Sequence, residues 1–242
     1  MPAAQMTRRF TDVGRILRVA SYNLRDFKDD TDAAARIVQA IDADVLCLQE
    51  VPRHLLSSYR TASFAARCGM YWSGDNRRSV GTTVMSSLRV DAANVAHVPL
   101  KVGGRFQRAR GYAVSEVRLH GYHSVGFVSI HLGLDAAERA RHAAEVVNAL
   151  PEDTPLVVAG DLNEASDGGA WMAFGRRLRA VTGDAPTFPA RNPRHRLDVI
   201  FASRQLSLVP SDPITLDPGD LAAATDHLPV WVDLDLSGVT MR

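Results

Sequence analysis

The side chains best suited to chemistry in this 242-residue chain are polar residues that border short apolar runs. They are Asn23, Glu50, His131, Asp161, Asn163, Asp198, Asp226 and His227. Short apolar runs are typical of buried strands, and polar side chains at the ends of several strands can converge on one crevice. The sequence therefore predicts a single site that is assembled from several strand ends.

The types of these residues indicate the chemistry of such a site. Asn, Asp and Glu offer oxygen ligands, which suit a hard divalent ion such as Mg²⁺ or Mn²⁺ better than Zn²⁺. Hydrolysis of a phosphate ester needs a cation at a non-bridging oxygen, a group that orients or deprotonates water, and donors for the charge of the transition state. Carboxylates, amides and two histidines supply all three, so phosphate esters are the predicted substrates.

Some of these positions also have a purely structural interpretation. Asp161 could begin a turn, since Gly, Asp and Asn are turn formers, and Asn23 could cap a strand. Glu50 could cap a helix, but it follows a run that should be buried, where an unpaired carboxylate is costly and a metal or cationic partner is expected. His227 directly follows Asp226, and this pair of residues is a weak signal by itself.

Hydrophobic periodicity predicts the elements that position these residues. Strands are predicted over 16–24, 44–49, 81–86, 95–100, 111–119, 124–132, 155–159, 197–202, 206–209 and 229–236. Helices are predicted from Thr31, as the capping residue, through Ile41, over 52–67 and over 135–150. Two helix-and-strand units flank a largely antiparallel stretch, which predicts an α/β domain whose halves each offer a sheet, packed face to face with helices outside. We expect residues 1–15 to be a flexible extension and 16–242 to be a single domain.

Composition narrows the class of partners. With 28 basic and 27 acidic residues the formal net charge is +1, so no chain-wide basic field favours nucleic acid. Cys47 and Cys68 have neither metal-ligand nor disulfide spacing and are expected to be small buried residues. The sequence contains no run long enough for a membrane span and no secretory signal, which predicts a cytoplasmic protein, and no obligate protein partner is evident.

Arginines and tryptophans leave two interpretations open. The arginines form three short groups, Arg105, Arg108 and Arg110, then Arg176, Arg177 and Arg179, then Arg191, Arg194 and Arg196. These groups could be local nucleic-acid contacts or a solvated face. Trp72 and Trp171 could stack on a substrate, although packing in or near the core is the more common role of tryptophan in a small domain.

Six motifs in order identify a family resemblance. They are SYNL, LQEV, SIHL, GDLN, RLDVIF and TDHLPV, within residues 20–232. The sequence resembles the endonuclease/exonuclease/phosphatase superfamily, the deoxyribonuclease I-like metal-dependent phosphoesterases. This resemblance implies a four-layered α/β sandwich of two stacked mixed sheets with outer helices, and a site at one end of the sheets.

The resemblance also implies a role for each candidate residue. The metal would be held by Asn23 and Glu50, with Asp226 beside it. Asp161 would orient or deprotonate the attacking water, and Asp198 would orient His227, which stabilises the transferring phosphoryl group. Asn163 and His131 would contact the phosphate. Arg110 matches an arginine common in relatives and could bind phosphate, or it could form a surface salt bridge.

One departure from the family pattern concerns residues 81–83. Many members carry glycine and asparagine before this strand, whereas this chain has Gly81, Thr82 and Thr83, so a phosphate-contacting amide is absent there. The predicted function is a Mg²⁺- or Mn²⁺-dependent phosphodiesterase or nuclease acting on a phosphate ester. The arginine groups favour DNA or RNA as the substrate, whereas the near-neutral net charge favours a small molecule or a phospholipid. The alternatives are a phosphomonoesterase for a sugar or inositol phosphate and a catalytically inactive binding relative.

Overall fold

The computed structural model describes residues 14–54, 56–73, 80–93, 95–102 and 109–239. Most of the predicted extension, residues 1–13, lies outside the described residues, so its flexibility and the domain boundaries stay predictions. Arg105 and Arg108 of the first arginine group also lie outside them.

The described residues form a succession of strands and helices that follows the predicted order. The elements are β1 (Ile16–Asn23), α1 (Thr31–Ile41), β2 (Val45–Gln49), α2 (Ser57–Arg67), β3 (Thr82–Ser86), β4 (Val90–Ala92), β5 (Ala96–Leu100), β6 (Arg110–Leu119), β7 (Val125–His131), α3 (Ala136–Ala149), β8 (Leu156–Asp161), α4 (Gly169–Gly175), β9 (Arg179–Ala180), β10 (Asp198–Ala202), β11 (Ser207–Val209), α5 (Pro218–Ala224) and β12 (Val230–Asp235). Short 3₁₀ turns occupy Arg25–Phe27 and Ser237–Val239.

The strands form two mixed sheets. The first sheet has the order β11-β12-β1-β2-β3, and only the β1–β2 pair within it is parallel. The second has the order β4-β6-β7-β8-β10-β9, with β5 also paired to β6, and only β7 and β8 are parallel. In each sheet the parallel pair is joined by a helix, α1 or α3, as the two repeated units of the sequence predict.

Apolar packing divides the molecule into four layers. One cluster fills the space between the sheets and includes Val19 and Cys47 from the first sheet and Phe127 and Val157 from the second. A second cluster joins the outer face of the first sheet to α1 and α2, and a third joins the outer face of the second sheet to α3 and α4. The predicted four-layered sandwich is therefore confirmed.

A glycine in the GDLN motif sets the distance between β7 and β8. Gly160 is paired with Ile130, and a Cβ atom at position 160 would lie 1.9 Å from the Ile130 carbonyl oxygen. Only glycine permits this close backbone approach. The consequence is that the next residue, Asp161, lies beside His131 in the ladder.

Some local predictions need correction. Thr31 begins α1 but does not cap it, because the side chain of Asp30 accepts hydrogen bonds from the backbone N–H groups of residues 32 and 33. The helix predicted over 52–67 begins only at Ser57. Two short helices, α4 and α5, and the short strands β4 and β9 were not expected. No helix among the described residues is both long and apolar enough to cross a bilayer, and the cellular location stays a prediction.

Candidate active site

Three predicted site residues form a row along one edge of the second sheet. The strand register pairs His131 with Asp161, and Asp161 with Asp198. In the first sheet, β1 and β2 end together with Asn23 paired to Gln49, which brings Asn23 and the following Glu50 to one edge. The Nδ2 atom of Asn23 donates to Asp161 Oδ2 at 3.0 Å, so the two edges meet across the interface between the sheets.

Asp161 lies at the centre of the site. Its Oδ1 atom accepts a hydrogen bond from the Asn163 backbone N–H at 2.8 Å. Its Oδ2 atom lies 3.6 Å from His131 Nε2 and 3.7 Å from His227 Nε2. Burial and the nearby Asp198 raise the pKa of Asp161 to about 7, although His227, the Asn163 backbone and Asn23 partly offset this rise. The carboxylate is therefore held in a position where its charged form is costly without further positive charge.

Asp198 and His227 form a buried pair. His227 Nδ1 lies 2.9 Å from Asp198 Oδ2. Burial opposes a charge on His227, but Asp198, followed by Asp161 and Asp226, outweighs it and raises the pKa of the imidazole to about 9. His227 is therefore a cation at neutral pH, with Nε2 directed toward Asp161.

Thr187 is a third member of this group that the sequence analysis missed. Its hydroxyl donates to Asp198 Oδ2 at 2.5 Å and accepts from the backbone N–H groups of Leu197 and Asp198. The Thr187 carbonyl also accepts from the backbone N–H of Leu228, next to His227. Thr187 precedes Asp198 by 11 residues in an irregular segment, and no periodicity or motif marks it.

His131 links two further polar side chains. Asn163 Nδ2 lies 3.1 Å from His131 Nε2 and donates to the Leu132 carbonyl at 2.9 Å. On the opposite side of the ring, an Arg110 guanidinium nitrogen lies 3.3 Å from His131 Nδ1. Arg110 is therefore at the site, where its side chain contacts a residue that is itself predicted to bind phosphate.

The three residues predicted to surround a metal form a more open edge. The Glu50 carboxylate lies 3.8 Å from His131 Nε2 and its side chain is 18% exposed. Asp226 is 34% exposed and faces Arg25 Nε at 3.3 Å. The Arg25 backbone N–H donates to Asn23 Oδ1, so Arg25 connects Asn23 to Asp226. Sequence reasoning missed Arg25, although it directly follows the SYNL motif.

Among the described residues, Asp161, Asp198 and His227 form a group that could hold a metal ion, since each offers an atom within 4.8 Å of the others. In this group, however, His227 Nδ1 is already bonded to Asp198 and the imidazole is cationic. Hard divalent ions prefer oxygen ligands, which the open edge supplies. A metal next to Asp161, on the side of Asn23 and Glu50, would have oxygen ligands and would leave the bond between His227 and Asp198 in place.

Both tryptophans and some of the grouped arginines take structural positions. Trp171 packs in the core beneath the guanidinium of Arg196, and Trp72 packs against the core with its Nε1–H bonded to Thr83. Arg177 donates to backbone carbonyls at the end of α3, and Arg179 lies on β9, which pairs with the end of β10 remote from Asp198.

Comparison with known proteins identifies the family. The model of the Endonuclease/Exonuclease/phosphatase family matches residues 20–227. The chain belongs to this family. The matched region contains every predicted site residue, and the resemblance inferred from the six motifs is thus confirmed.

Relatives of this endonuclease/exonuclease/phosphatase protein cover most of the chain. Escherichia coli YbhP, described as an uncharacterized protein, is 27% identical over 226 aligned residues, which cover 82% of this chain and 86% of YbhP. An endonuclease/exonuclease/phosphatase structure from Beutenbergia cavernae has a TM-score of 0.71 at 21% identity, with 92% of this chain and 72% of that chain covered. A mannosyl-6-phosphatase from Bacteroides thetaiotaomicron has a TM-score of 0.70 at 19% identity, with 90% and 99% covered.

Membership sets the general class of chemistry. Members of the family are phosphoesterase hydrolases that depend on a divalent metal. The structural neighbours named above are at most 21% identical to this chain, so they show its fold and do not identify the type of phosphate ester that it hydrolyses.

Proposed function

We propose that this protein is a phosphodiesterase that depends on Mg²⁺ or Mn²⁺ and cleaves nucleotide or nucleic-acid phosphodiesters. The observation that carries the proposal is the buried Asp161 carboxylate, which is fixed by two amides and lies between the imidazoles of His131 and His227. Such an arrangement offers a proton acceptor in Asp161 and a cationic donor in His227 around a position that one phosphoryl group could occupy.

The donor set fits a hard divalent ion. Asn23, Glu50 and Asp226 would surround it, and all three offer oxygen atoms. Asp161 supports this fit, because burial and then the nearby Asp198 raise its pKa, so that its charged form would gain from a cation bound beside it. When bound, the ion would polarise a non-bridging phosphate oxygen and neutralise developing charge.

Two side chains of the protein supply a proton acceptor for the attacking water and a fixed donor for the phosphoryl oxygens. Asp161 is held by Asn23 and the Asn163 backbone in an orientation that allows it to accept a proton from a water molecule that attacks the phosphorus. His227 is charged, and Asp198 fixes its Nδ1–H, so Nε2–H is a fixed donor to the phosphoryl oxygens. Thr187 is a positioning residue, since it binds the Asp198 oxygen that faces His227.

Three other side chains would bind the substrate phosphate. His131 and Asn163 lie together on the second sheet, and Arg110 stands next to His131. Further cations, Arg25 and Arg53, lie on the segments that follow Asn23 and Glu50. Positive charge beyond the phosphate position suits a substrate that carries further phosphates next to the scissile one, as a nucleic acid does.

A phosphomonoesterase is the second candidate. The structural similarity to a protein described as a mannosyl-6-phosphatase covers 90% of this chain, and it favours a sugar phosphate as the alternative substrate. The fold likeness alone does not distinguish a monoester from a diester.

Turnover with matched substrates tests the proposal. We would measure hydrolysis of bis(p-nitrophenyl) phosphate, p-nitrophenyl phosphate, mannose 6-phosphate and a single-stranded oligonucleotide with Mg²⁺, Mn²⁺ or Ca²⁺. The diesters should be cleaved with a higher kcat/KM, and Asp161→Asn should abolish cleavage while the exposed Glu152→Gln does not. Preferred hydrolysis of the monoesters would establish the second candidate, and no turnover of any substrate would indicate an inactive relative.

A further inference from the structure

An open cavity with several charged side chains in its lining lies next to the candidate active site. It has a volume of about 490 Å³ and is lined by Asp26, Phe27, Lys28, Arg53, His54 and Arg60. We refer to it as the basic cavity. None of its lining residues belongs to the row of catalytic candidates, and no motif in the sequence indicated it.

The wall of the basic cavity is also a wall of the active site. The backbone N–H of Asp26 donates to the Glu50 carbonyl at 2.6 Å. Arg25, immediately before Asp26, contacts both Asn23 and Asp226. On the other side, Arg53 donates to the carbonyl of Ala109, the residue before Arg110. A substrate group in the basic cavity would therefore lie beside the phosphoryl group that the site would hold.

The charges of the basic cavity favour an anion. Lys28, Arg53 and Arg60 contribute three cations, against the single carboxylate of Asp26. Asp26 lies 3.7 Å from Lys28 Nζ, so it offsets part of that charge. Arg60 donates to the Phe27 carbonyl, lies 3.4 Å from His54 and stacks over the Phe27 ring, and it forms no ion pair with any carboxylate among the described residues.

The backbone around the basic cavity is strained. Arg25, Asp26 and Phe27 have φ angles of 46°, 56° and 55°, and Glu50 has a φ of 50°. Non-glycine residues rarely adopt this left-handed region, and such strain is concentrated at functional sites. Here it directs three successive residues so that one turn contacts the active site and lines the basic cavity.

We propose that the basic cavity binds a second phosphate group of the substrate, one nucleoside unit away from the phosphodiester that is cleaved. The inference rests on the proposed phosphodiesterase function and specifies its substrate further. Arginine and lysine side chains form charge-assisted hydrogen bonds with phosphate oxygens, and a phosphate binds several such donors at once. The second phosphate is either the terminal phosphate of a nucleotide or the next backbone link of a nucleic acid.

A pair of chromogenic substrates isolates the second phosphate. The p-nitrophenyl ester of thymidine 5′-phosphate and its 3′-phosphorylated form contain the same scissile phosphodiester. We expect kcat/KM to be about tenfold or more higher for the 3′-phosphorylated substrate, since a charge-assisted hydrogen bond contributes on this order. The preference should decline as the salt concentration increases.

Variants locate the preference in the basic cavity. Lys28→Gln changes an exposed side chain and should preserve the fold, while Arg60→Gln removes the half-buried guanidinium, with thermal unfolding used to check the fold. Each should reduce the preference for the 3′-phosphorylated substrate and leave kcat/KM for the other substrate nearly unchanged. Arg204→Gln is a matched control, because Arg204 is exposed and follows the end of β10 remote from Asp198.

Binding measurements separate this inference from the proposed function. Calorimetric titration with thymidine 3′,5′-bisphosphate and thymidine 5′-phosphate requires no turnover. Tighter binding of the bisphosphate that disappears in Lys28→Gln and Arg60→Gln, but not in Arg204→Gln, supports the basic cavity even if neither ester is hydrolysed. Equal affinity for the two nucleotides, or a preference that both variants retain, would overturn it.

A trinucleotide distinguishes the two sources of the phosphate. If Lys28→Gln weakens its binding as much as binding of the bisphosphate, the basic cavity accepts a backbone link. If only bisphosphate binding is weakened, the basic cavity is specific for a terminal phosphate. Both results support a phosphate subsite, whereas no effect on either ligand contradicts it.

Discussion

Two buried groups of charged side chains lie toward opposite ends of β1, and they are built differently. Away from the site, Arg18 forms a two-pronged ion pair with Asp233, at 2.7 Å for each bond, and its backbone N–H donates to Asp44. Arg89 lies 2.7 Å from Asp44. Two arginines therefore balance two aspartates, as expected for a buried ionic group that serves the fold.

At the other end of β1, the group near Asn23 is not balanced. Asp161 and Asp198 are both buried, with His227 as their shared partner, and the Asp198 Oδ1 atom has no hydrogen-bond partner among the described residues. The pKa of Asp161 is raised by burial and by Asp198. Charge is thus buried at both ends of β1, and an excess of carboxylates over cationic partners distinguishes the candidate site from the ion pairs that serve the fold.

The largest effect is expected from a change at the open edge of the site, where Glu50 lies next to the unbalanced group of Asp161, Asp198 and His227. Glu50→Gln should lower kcat by roughly a thousandfold or more, because removal of a metal ligand takes away several kcal/mol of transition-state stabilisation. Steady-state kinetics at several Mg²⁺ and Mn²⁺ concentrations measures it. The matched variant Glu116→Gln, at an exposed position on β6, should have wild-type activity. Near wild-type turnover by Glu50→Gln at low metal would show that Glu50 does not hold the metal.

Removing Arg18 from the balanced group should lower the free energy of unfolding and leave the activity unchanged. Arg18→Met leaves the buried carboxylate of Asp233 without its partner, which typically costs about 3 to 5 kcal/mol of unfolding free energy. Urea unfolding measures this loss, and kcat/KM of the folded protein should be unchanged. Arg15→Met is the control, because Arg15 is 51% exposed in its pair with Asp235 and should cost less than about 1 kcal/mol. A similar small loss for both variants would mean that the Arg18 pair contributes little.

Asp198 and His227 should behave as one catalytic unit. Asp198→Asn and His227→Ala should each lower kcat/KM by roughly a hundredfold, and the double variant should lose little more than one single variant. The reason is that both substitutions remove the same contact, the donor that Asp198 fixes on His227. Multiplicative losses in the double variant would instead assign Asp198 to the fold or to the metal.

Most of this site could be predicted because each residue lies at the border of an apolar strand within a short motif. Asp161 and Asp198 are predictable from GDLN and RLDVIF, and the strand register then places them side by side. Thr187 was not predictable, because its role depends on an irregular loop that returns to β10. The basic cavity was not predictable for a similar reason, since it joins a turn after β1 to the segment after β2.

Errors in the fold prediction also have local physical causes. Asp30 and Thr31 are both good capping residues, and only the backbone geometry decides that Asp30 is the cap. Helix α4 has only seven residues and begins and ends with glycine, so propensity argues against it. Helix α5 was detectable, because Asp217 as cap followed by proline at the first helical position is a helix-start signal.

A smaller effect concerns proton binding by His227 in the metal-free protein. The imidazole pKa of about 9 lies above the ordinary value of 6.5, so its stabilising contribution is complete below pH 6.5 and is lost as pH rises through 9. An NMR titration in EDTA, assigned with His227→Gln, should show this pKa, and Asp198→Asn should lower it. Between pH 7 and pH 10, the free energy of unfolding measured with urea should decrease more for the wild type than for Asp198→Asn. An unchanged pKa in Asp198→Asn would show that Asp198 does not hold the proton on His227.

The smallest effect is expected at the arginines far from the site. Arg177 donates to the carbonyls of Val147, Leu150 and Pro151, so its charge serves the end of α3. Arg176 is exposed near this end, and Arg179 donates to the Leu206 carbonyl beyond the remote end of β10. A nucleic acid bound at Asp161 would have to cross the sheet to reach them. We therefore expect Arg176→Gln with Arg179→Gln to leave oligonucleotide affinity and its salt dependence unchanged.

Measuring oligonucleotide affinity against salt concentration tests this expectation. When a substitution removes one cation that pairs with a phosphate of a single strand, the slope of log affinity against log salt becomes shallower by about 0.7. The contrasting variant is Lys28→Gln in the basic cavity, which should reduce the slope by about that amount. A reduced slope for the Arg176 and Arg179 double variant would show that the substrate follows the second sheet to its far end, and the functional surface would then include both ends of the molecule.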